Sequence, residues 1–293
     1  MTPHAADALQ AANRRGVLAI SAGMASFVAN DALVKYVSET LPASQLIFLR
    51  GLMASVLLLV IAHAMGATRR LADLADRRVL GRAGLDTLGT VAYLVSLFHI
   101  PLANALAINM ATPLVITLLA VIVFHEQVNA GRWLALAVGF TGVLLVVQPR
   151  GSEFSGYALL CLAGTLFHAS RDFATRFIDH TIPSVLITLS TAIAVTCFTG
   201  AWSLFDQWAP VTPAQLGLLA AASVFLSGGY FLLTVAMRAG EMSLIAPFRY
   251  SGLLFGIVLG YVVWGHVPNA PAWAGIALLL VASVWVMRAP LAR

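Results

Sequence analysis

Long apolar runs alternate with short polar segments along the whole chain. Runs of about 17–25 apolar residues can cross a bilayer as helices, and a helix satisfies its own backbone hydrogen bonds in lipid. Ten such runs, numbered here as spans 1 to 10, lie at residues 17–37, 43–65, 79–99, 102–124, 132–148, 154–175, 183–205, 213–237, 242–264 and 271–288. The pattern predicts an all-α polytopic membrane protein with ten transmembrane helices.

The chain also contains a repeat. Residues 31–42 and 172–183 share an Asp, a basic residue four positions later and a Pro, at an offset of 141. Residues 124–133 and 264–273 share an aromatic residue, an Asn-Ala pair and a Trp, at an offset of 140. Two halves with an odd number of spans each would insert in opposite orientations, which is typical of transporters.

This repeat divides the predicted chain into two five-helix units. The predicted parts are a cytoplasmic N-terminal tail at 1–16, a first five-helix repeat at 17–148, a linker at 149–153, a second, inverted five-helix repeat at 154–288 and a cytoplasmic C-terminal tail at 289–293.

Composition supports a membrane location. Of the 293 residues 60% are hydrophobic and 10% are charged, whereas soluble domains average about 25% charged. The net charge of +5 is spread over the chain, so it does not indicate nucleic-acid binding. The lipid bilayer is the predicted environment, and a bacterial inner membrane is the predicted location.

The basic residues predict the orientation. Ten spans place both termini on one side, and that side carries Arg14, Arg15, Arg69, Arg70, Arg77, Arg78, Arg82, Arg132, Arg176, Arg238, Arg288 and Arg293. The opposite side carries Arg150 and, at the end of span 1, Lys35. Because cytoplasmic loops are rich in Lys and Arg, both termini are predicted to be cytoplasmic.

Two charged pairs lie at opposite ends of equivalent spans. Asp31 and Lys35 are predicted near the outer face, and Asp172 and Arg176 near the cytoplasmic face. Residues four apart share one helix face, so each pair forms one polar cluster. Alternating gates would have this arrangement. The alternative is that the long basic side chains only reach for the interface, although an acid inside a span is costly and needs a partner.

A second set of polar residues lies deeper. Arg249 in span 9 and Asn109 in span 4 occupy equivalent positions at an offset of 140. A guanidinium in a wet cavity can bind a carboxylate through two parallel hydrogen bonds, so Arg249 is a candidate substrate-binding residue. The alternative is a structural Arg whose charge is met by helix-end carbonyls or a nearby acid.

Other charged residues in the spans are predicted to pair. Arg50 in span 2 is interpreted as a structural partner of Asp31, and Asp86 in span 3 as a partner of Arg82 one turn away. His168 and Arg171 share a face of span 6. His168 could couple transport to protons because histidine titrates near neutral pH, and packing is its alternative role.

Aromatic residues in a cavity could stack on a planar substrate. The candidates are Phe27, Tyr93, Tyr230, Phe248 and Tyr250. The sequence has no metal-binding, nucleophile or phosphate-loop motif. It therefore predicts neither an enzyme nor a cofactor or metal site, and it favours facilitated or ion-coupled movement of a small molecule.

These features resemble a known family. Ten spans in two inverted halves, with the segments 124–142 and 264–275 closing each half, resemble the drug/metabolite transporter superfamily and its EamA-type exporters. Glu126 matches the acid common in that loop, and His266 replaces it in the second half. Within the superfamily the chain is most similar to bacterial aromatic amino-acid exporters, and it also resembles carriers of S-adenosylmethionine.

The resemblance implies a central cavity and a function. Spans 1, 3, 4, 6, 8 and 9 would line the cavity with Asn30, Tyr93, Asn109, His168, Arg171, Tyr230, Arg249 and Tyr250. The expected function is export of amino acids, aromatic or neutral, or related metabolites by alternating access. The alternatives are a carrier of S-adenosylmethionine, nucleosides or drugs, and a non-transporting scaffold or sensor.

Overall fold

The computed structural model describes residues 3–124, 130–148, 155–175, 177–179, 181–239 and 246–288. Its eleven α-helices over these residues are α1 Pro3–Val37, α2 Ala43–Ala64, α3 Arg77–His99, α4 Leu102–Asn109, α5 Thr112–Phe124, α6 Ala130–Val147, α7 Gly156–Thr175, α8 Ser184–Ser203, α9 Pro213–Ala239, α10 Ser251–Trp264 and α11 Ala270–Arg288. Two 3-10 segments, Ala67–Ala75 and Ala246–Tyr250, complete the regular structure. The all-α prediction is confirmed.

The helices follow the apolar runs closely, with three differences. The described part of span 9 is the 3-10 segment Ala246–Tyr250 followed by α10. α1 begins at Pro3, so the helix continues through most of the predicted N-terminal tail. Span 4 is divided between α4 and α5. By length and apolarity alone, four helical stretches of the described chain can cross a membrane, at Arg14–Val37, Ala43–Ala64, Ser184–Ser203 and Pro213–Leu233. The count of ten spans stays a prediction, and the predicted linker and C-terminal tail both lie wholly outside the described residues.

Helix contacts repeat between the halves. α1 packs along α9, and α3 packs along α7. α1 is the counterpart of α7 in the other repeat, and α3 is the counterpart of α9. The contact between α1 and α9 is therefore equivalent to the contact between α7 and α3. α2 packs on α8, α4 of span 4 on α10 of span 9, and α6 on α11, so each of these spans meets its own counterpart. Two related helix bundles therefore interlock around a common centre.

Glycines bring the equivalent pairs close together. A Cβ atom on Gly23 of α1 would lie 3.3 Å from the carbonyl oxygen of Gly229 on α9. A Cβ atom on Gly164 of α7 would lie 3.1 Å from the carbonyl oxygen of Gly89 on α3. Gly23 corresponds to Gly164 in the repeat, and Gly89 corresponds to Gly229. The same glycine crossing thus occurs twice, as expected where small residues let membrane helices approach.

Span 4 breaks where a proline removes a backbone donor. α4 ends at Asn109, and α5 begins at Thr112. Pro113 has no N–H with which to bond the carbonyl of Asn109, the acceptor four residues earlier in a helix. The Thr112 hydroxyl donates to that carbonyl instead, at 2.7 Å. A side chain therefore satisfies the carbonyl that the proline leaves free, as membrane helices require.

Large apolar side chains face outward over much of the bundle. On α2, Leu52, Val56 and Val60 are exposed, and on α10, Val258 and Val262 are exposed. Because lipid is as apolar as these side chains, their exposure fits a surface that faces hydrocarbon. The polar residues of the spans are consequently gathered inside the bundle.

Candidate functional site

The first polar cluster lies where α1, α2 and α3 meet, and we call it the α1 cluster: Asn30, Asp31, Arg50 and Tyr93. The Tyr93 hydroxyl donates to Asp31 Oδ2 at 2.8 Å, and Asn30 Nδ2 donates to Asp31 Oδ1 at 2.9 Å. Arg50 Nη1 donates to Asn30 Oδ1 at 3.3 Å. All four residues are buried, so α1 presents a carboxylate and an amide to donors on two other helices.

The second polar cluster lies where α3 and α7 meet, and we call it the α7 cluster: Arg82, Asp86, His168, Arg171 and Asp172. Arg171 Nη1 lies 2.7 Å from Asp86 Oδ1, and Arg171 Nη2 lies 2.8 Å from Asp172 Oδ1. Arg82 Nη1 lies 3.5 Å from Asp86 Oδ2. His168 Nε2 is 4.0 Å from Asp86 Oδ1. One buried carboxylate thus holds two arginines.

The two clusters are built on equivalent positions of α1 and α7. Asn30 and Asp31 of the first repeat correspond to Arg171 and Asp172 of the second. In each pair the first side chain donates to the second carboxylate, at 2.9 Å in both. The inverted repeat therefore preserves a local contact even where Asn has been exchanged for Arg.

The preceding turn of each helix is also equivalent. Phe27 on α1 and His168 on α7 occupy corresponding positions of the repeat. A Cβ atom on Gly229 would lie 2.8 Å from the Phe27 ring, and a Cβ atom on Gly89 would clash with the His168 ring. Each ring therefore fills the space that a glycine leaves on the facing helix.

Two tyrosines connect the clusters. The Tyr93 and His168 rings have centroids 6.0 Å apart. Tyr230 on α9 packs edge-on against Phe27, with centroids 5.1 Å apart, and it lies within electrostatic range of both Arg50 and Asp86. Five predicted site residues thus belong to one polar region inside the bundle: Asn30, Tyr93, His168, Arg171 and Tyr230.

The other predicted binding residues lie elsewhere. Asn109 ends α4, where its Oδ1 and carbonyl oxygen both accept from Thr112. Phe248 and Arg249 are exposed on the 3-10 segment Ala246–Tyr250, which packs against α1, and Tyr250 on the same segment is buried. Their roles in substrate binding stay predictions.

Lys35, a predicted gating residue, binds main chain. Its ammonium donates to the carbonyl oxygens of Leu97 at 2.6 Å and Ile100 at 2.8 Å, at the end of α3. It also lies 5.7 Å from the ring centroid of Trp264. Lys35, Ile100 and Trp264 border a cavity of about 270 Å³, which Glu39, His99 and His266 also line. The counterpart of Lys35, Arg176, lies outside the described residues.

Loops make polar contacts at both ends of the bundle. At the end near Lys35, Gln45 Nε2 donates to the Ala209 carbonyl at 2.9 Å, and Gln215 Nε2 donates to the Thr40 hydroxyl at 2.8 Å. At the opposite end, Arg78 Nη1 donates to the Phe177 carbonyl at 2.8 Å. No sequence pattern indicates these contacts, because they join segments that are distant along the chain.

Two structural pairings predicted from the sequence have different outcomes. Arg82 and Asp86 pair as predicted, and Asp86 additionally binds Arg171 from α7. Arg50 is linked to Asp31 through the side chain of Asn30, so an amide bridges the predicted partners. The geometry thus gives Arg50 a position in the site that its apolar surroundings in sequence did not indicate.

Comparison with known proteins assigns this arrangement of helices to a known family. The EamA-like transporter family matches residues 14–148 and again residues 155–288. The chain belongs to the EamA-like transporter family. It is therefore a multi-pass membrane transporter of small molecules and not an enzyme, and the scaffold or sensor alternative is excluded.

Several curated proteins are similar over most of the chain. The Pseudopaline exporter CntI of Pseudomonas aeruginosa is 31% identical over 282 residues, covering 94% of this chain and 96% of that protein. A riboflavin transporter of Rhizobium johnstonii is 30% identical over 74% of this chain and 72% of that protein. An S-adenosylmethionine uptake transporter of Rickettsia prowazekii is 24% identical over 88% of this chain and 87% of that protein.

A solved crystal structure shares the fold. It superposes with a TM-score of 0.64 at 17% sequence identity, and the match covers 95% of this chain and 97% of that chain. The arrangement of helices is therefore that of a known fold.

Proposed function

We propose that this EamA-like protein exports amino acids, aromatic or neutral, or closely related metabolites across a bacterial inner membrane by alternating access. The observation that carries the proposal is the pair of equivalent polar clusters on α1 and α7, joined by Tyr93 and Tyr230 inside an apolar bundle. Buried polar groups in a membrane are costly and mark substrate pathways. A site between inverted repeats is where transporters of this kind bind their substrates.

Alternating access requires a substrate pathway that can be closed at either end of the bundle, and the loop contacts provide one closure at each end. The Gln45–Ala209 and Gln215–Thr40 contacts close one end, and the Arg78–Phe177 contact closes the other. Opening requires one set to separate while the other remains. Under the positive-inside rule, the arginine-bearing end is cytoplasmic, both termini are cytoplasmic, and the end near Lys35 is external.

The chemistry of the clusters suits an amphiphilic substrate. An amino acid offers a carboxylate, an ammonium and a side chain, and the region between the clusters offers arginine, aspartate and tyrosine side chains. Tyr93 and Tyr230 would contact an aromatic side chain by offset or edge-on packing. His168 lies 4.0 Å from Asp86, so a proton shared within the α7 cluster is the proposed route of any proton coupling.

S-adenosylmethionine is one alternative substrate. S-adenosylmethionine uptake transporters are similar at 22–24% identity over 88–90% of this chain, and this compound is itself an amino-acid derivative. A carrier of S-adenosylmethionine would use the same clusters with a larger aromatic group. Riboflavin is a second alternative, because a riboflavin transporter is 30% identical over 74% of this chain. Nucleosides and drugs are the remaining alternatives.

Counterflow into proteoliposomes tests the substrate. Purified protein is reconstituted in vesicles loaded with one unlabelled compound, and uptake of labelled amino acids, S-adenosylmethionine, riboflavin and nucleosides is compared. Exchange of aromatic or neutral amino acids is the expected result, and protein-free liposomes are the control. Exchange of S-adenosylmethionine alone would identify that compound as the substrate in place of amino acids. Exchange of no amino acid by folded protein would contradict the proposal.

A further inference from the structure

Arg50 is a buried guanidinium with unused hydrogen-bonding capacity. Its side chain sits on α2, and only 5% of the residue is exposed. Its Nε is fully buried and has no hydrogen-bond partner in the described part of the chain. The contact from Nη1 to Asn30 Oδ1 is long, at 3.3 Å. A buried charge without close partners is expensive, and such an unsatisfied group calls for a functional explanation.

Two other cations inside the bundle are better satisfied. Arg171 has carboxylate oxygens at 2.7 and 2.8 Å from two aspartates. Lys35 has two carbonyl oxygens at 2.6 and 2.8 Å. Their charges are already matched within the protein. Among these three cations, Arg50 is the one that a carboxylate from outside could complete.

Asp31 is the corresponding anion. Its hydrogen-bond donors among the described residues are the Tyr93 hydroxyl and the Asn30 amide, which are both neutral. These donors hold the two carboxylate oxygens in place without supplying a positive charge. A substrate ammonium would supply it.

Asn30 keeps these two charges apart. Its Oδ1 accepts from Arg50, and its Nδ2 donates to Asp31. A single amide therefore spaces a guanidinium and a carboxylate that would otherwise pair directly. The result is one positive and one negative group side by side, and an α-amino acid carries the complementary pair of charges.

An aromatic wall adjoins the two charges. Tyr230 lies within electrostatic range of Arg50 and packs edge-on against Phe27, which lies one turn before Asp31 on α1. A hydrophobic or aromatic substituent on the α-carbon would pack here. Phe27 fills the space above Gly229, so the wall is set by the crossing of α1 and α9.

We propose that Arg50 and Asp31 form a zwitterion-binding subsite, in which Arg50 binds the α-carboxylate and Asp31 binds the α-ammonium of the substrate. Phe27 and Tyr230 contact its side chain. This inference rests on the proposed amino-acid transport and deepens it, because it assigns the carboxylate to Arg50 rather than to the exposed Arg249. It also gives the Asn30 amide a positioning role.

Analogue competition tests the subsite. Counterflow of labelled L-phenylalanine is competed with unlabelled L-phenylalanine, L-phenylalaninamide, which lacks the carboxylate, and N-acetyl-L-phenylalanine, which lacks the ammonium. In the wild type, L-phenylalanine is expected to compete best. Loss of one charged hydrogen-bonding partner is expected to weaken competition by about tenfold to a hundredfold.

Variants then assign each charge. With R50Q, L-phenylalanine is expected to lose its advantage over L-phenylalaninamide, while competition by the amide stays close to that in the wild type. With D31N, L-phenylalanine loses its advantage over the N-acetyl compound. R69Q, at an exposed arginine of the 3-10 segment Ala67–Ala75, is the matched control and keeps the wild-type ranking.

R50K covers the case in which R50Q does not fold. Lysine keeps the charge but loses the two-pronged geometry of arginine, so L-phenylalanine is expected to weaken while the amide does not. The inference is overturned if each folded Arg50 variant keeps the wild-type preference for L-phenylalanine over its amide. Wild-type protein that exchanges no amino acid overturns the proposed function itself, and with it this subsite.

Discussion

The α1 and α7 clusters occupy equivalent positions but differ in how completely their charges are matched. In the α7 cluster, Arg171 bridges Asp86 and Asp172 at short distances. In the α1 cluster, Asn30 stands in the place of Arg171, and Asp31 is held by neutral donors. Polar residues thus occupy the same positions in both repeats, but their charges differ.

The residues that surround the two clusters differ in the same way. Thr191 is the counterpart of Arg50 in the second repeat, and the Thr191 hydroxyl accepts from Arg82 at 2.9 Å. The arginines of the α7 cluster are thus hydrogen-bonded to other residues of the protein. In the α1 cluster, Nε of Arg50 has no hydrogen-bond partner among the described residues. A network in which every charge has a partner favours rigidity. A network that contains an incompletely bonded charge favours binding of a charged ligand.

Removing the central carboxylate of the α7 cluster should have the largest effect. Asp86→Ala leaves Arg82 and Arg171 buried without that partner, and breaking a buried pair costs about 3–5 kcal/mol. The free energy of unfolding, measured by denaturation in mixed micelles, is expected to fall by that amount.

Asp73→Ala is the matched control for this substitution. Asp73 pairs with Arg70 at 2.8 Å, but the Arg70 side chain is 44% exposed. Exposed pairs contribute about 0–1 kcal/mol, so the control should remain near wild type. Equal losses in both variants would show that Asp86 is not the centre of a buried network.

Removing one donor from the α1 cluster should have a smaller effect. Tyr93→Phe deletes the hydroxyl that donates to Asp31, and a hydrogen bond to a charged group contributes about 1.5–3 kcal/mol. Unfolding in mixed micelles measures the loss, with Tyr261→Phe at an exposed tyrosine as the control. No difference between the two variants would contradict the assigned hydrogen bond.

The glycine crossing of α3 and α7 provides the next comparison. A Cβ atom on Gly164 would lie 3.0 Å from the Tyr93 nitrogen, whereas one on Gly84 would meet nothing within 4 Å. Both substitutions to Ala gain helix propensity, but only Gly164→Ala overpacks an interface. The two variants should differ in unfolding free energy by about 1–3 kcal/mol. A stabilised Gly164→Ala protein would show that the helices are not in close contact.

The smallest expected effect concerns the cavity at the end of the bundle. Partial burial and the nearby Lys35 charge lower the pKa of His266. Lys35→Met removes the charge, so the pKa of His266 should rise towards its ordinary value and the imidazole should protonate at a higher pH. An NMR titration of labelled histidine measures this. An unchanged or lower His266 pKa would place Lys35 outside its reach.

Features local in sequence could be predicted, and features that depend on helix packing could not. The apolar runs located the helices, and the four-residue spacing of Arg82 and Asp86 predicted their pairing. The contact of Arg171 with Asp86 joins two helices that are distant along the chain, so it depends on which helices pack together. The separation of Arg50 from Asp31 depends on one Asn30 rotamer, which no periodic pattern encodes.

Backbone breaks were only partly visible. Pro113 lies within span 4, but the end of α4 at Asn109 depends on where the Thr112 hydroxyl can replace the missing donor. The helical continuation of α1 back to Pro3 was missed because that stretch is less apolar than the span it leads into. Apolarity marks where a helix enters lipid and not where the helix begins.

The contact between Lys35 and the end of α3 has a mechanical consequence. Two main-chain oxygens of the 97–100 turn depend on one ammonium carried by α1. Pulling these helices apart would remove that donor from both oxygens, so α1 and α3 should move together as one rigid unit. Sliding between helices should then occur at the glycine contacts, where α1 meets α9 and α3 meets α7.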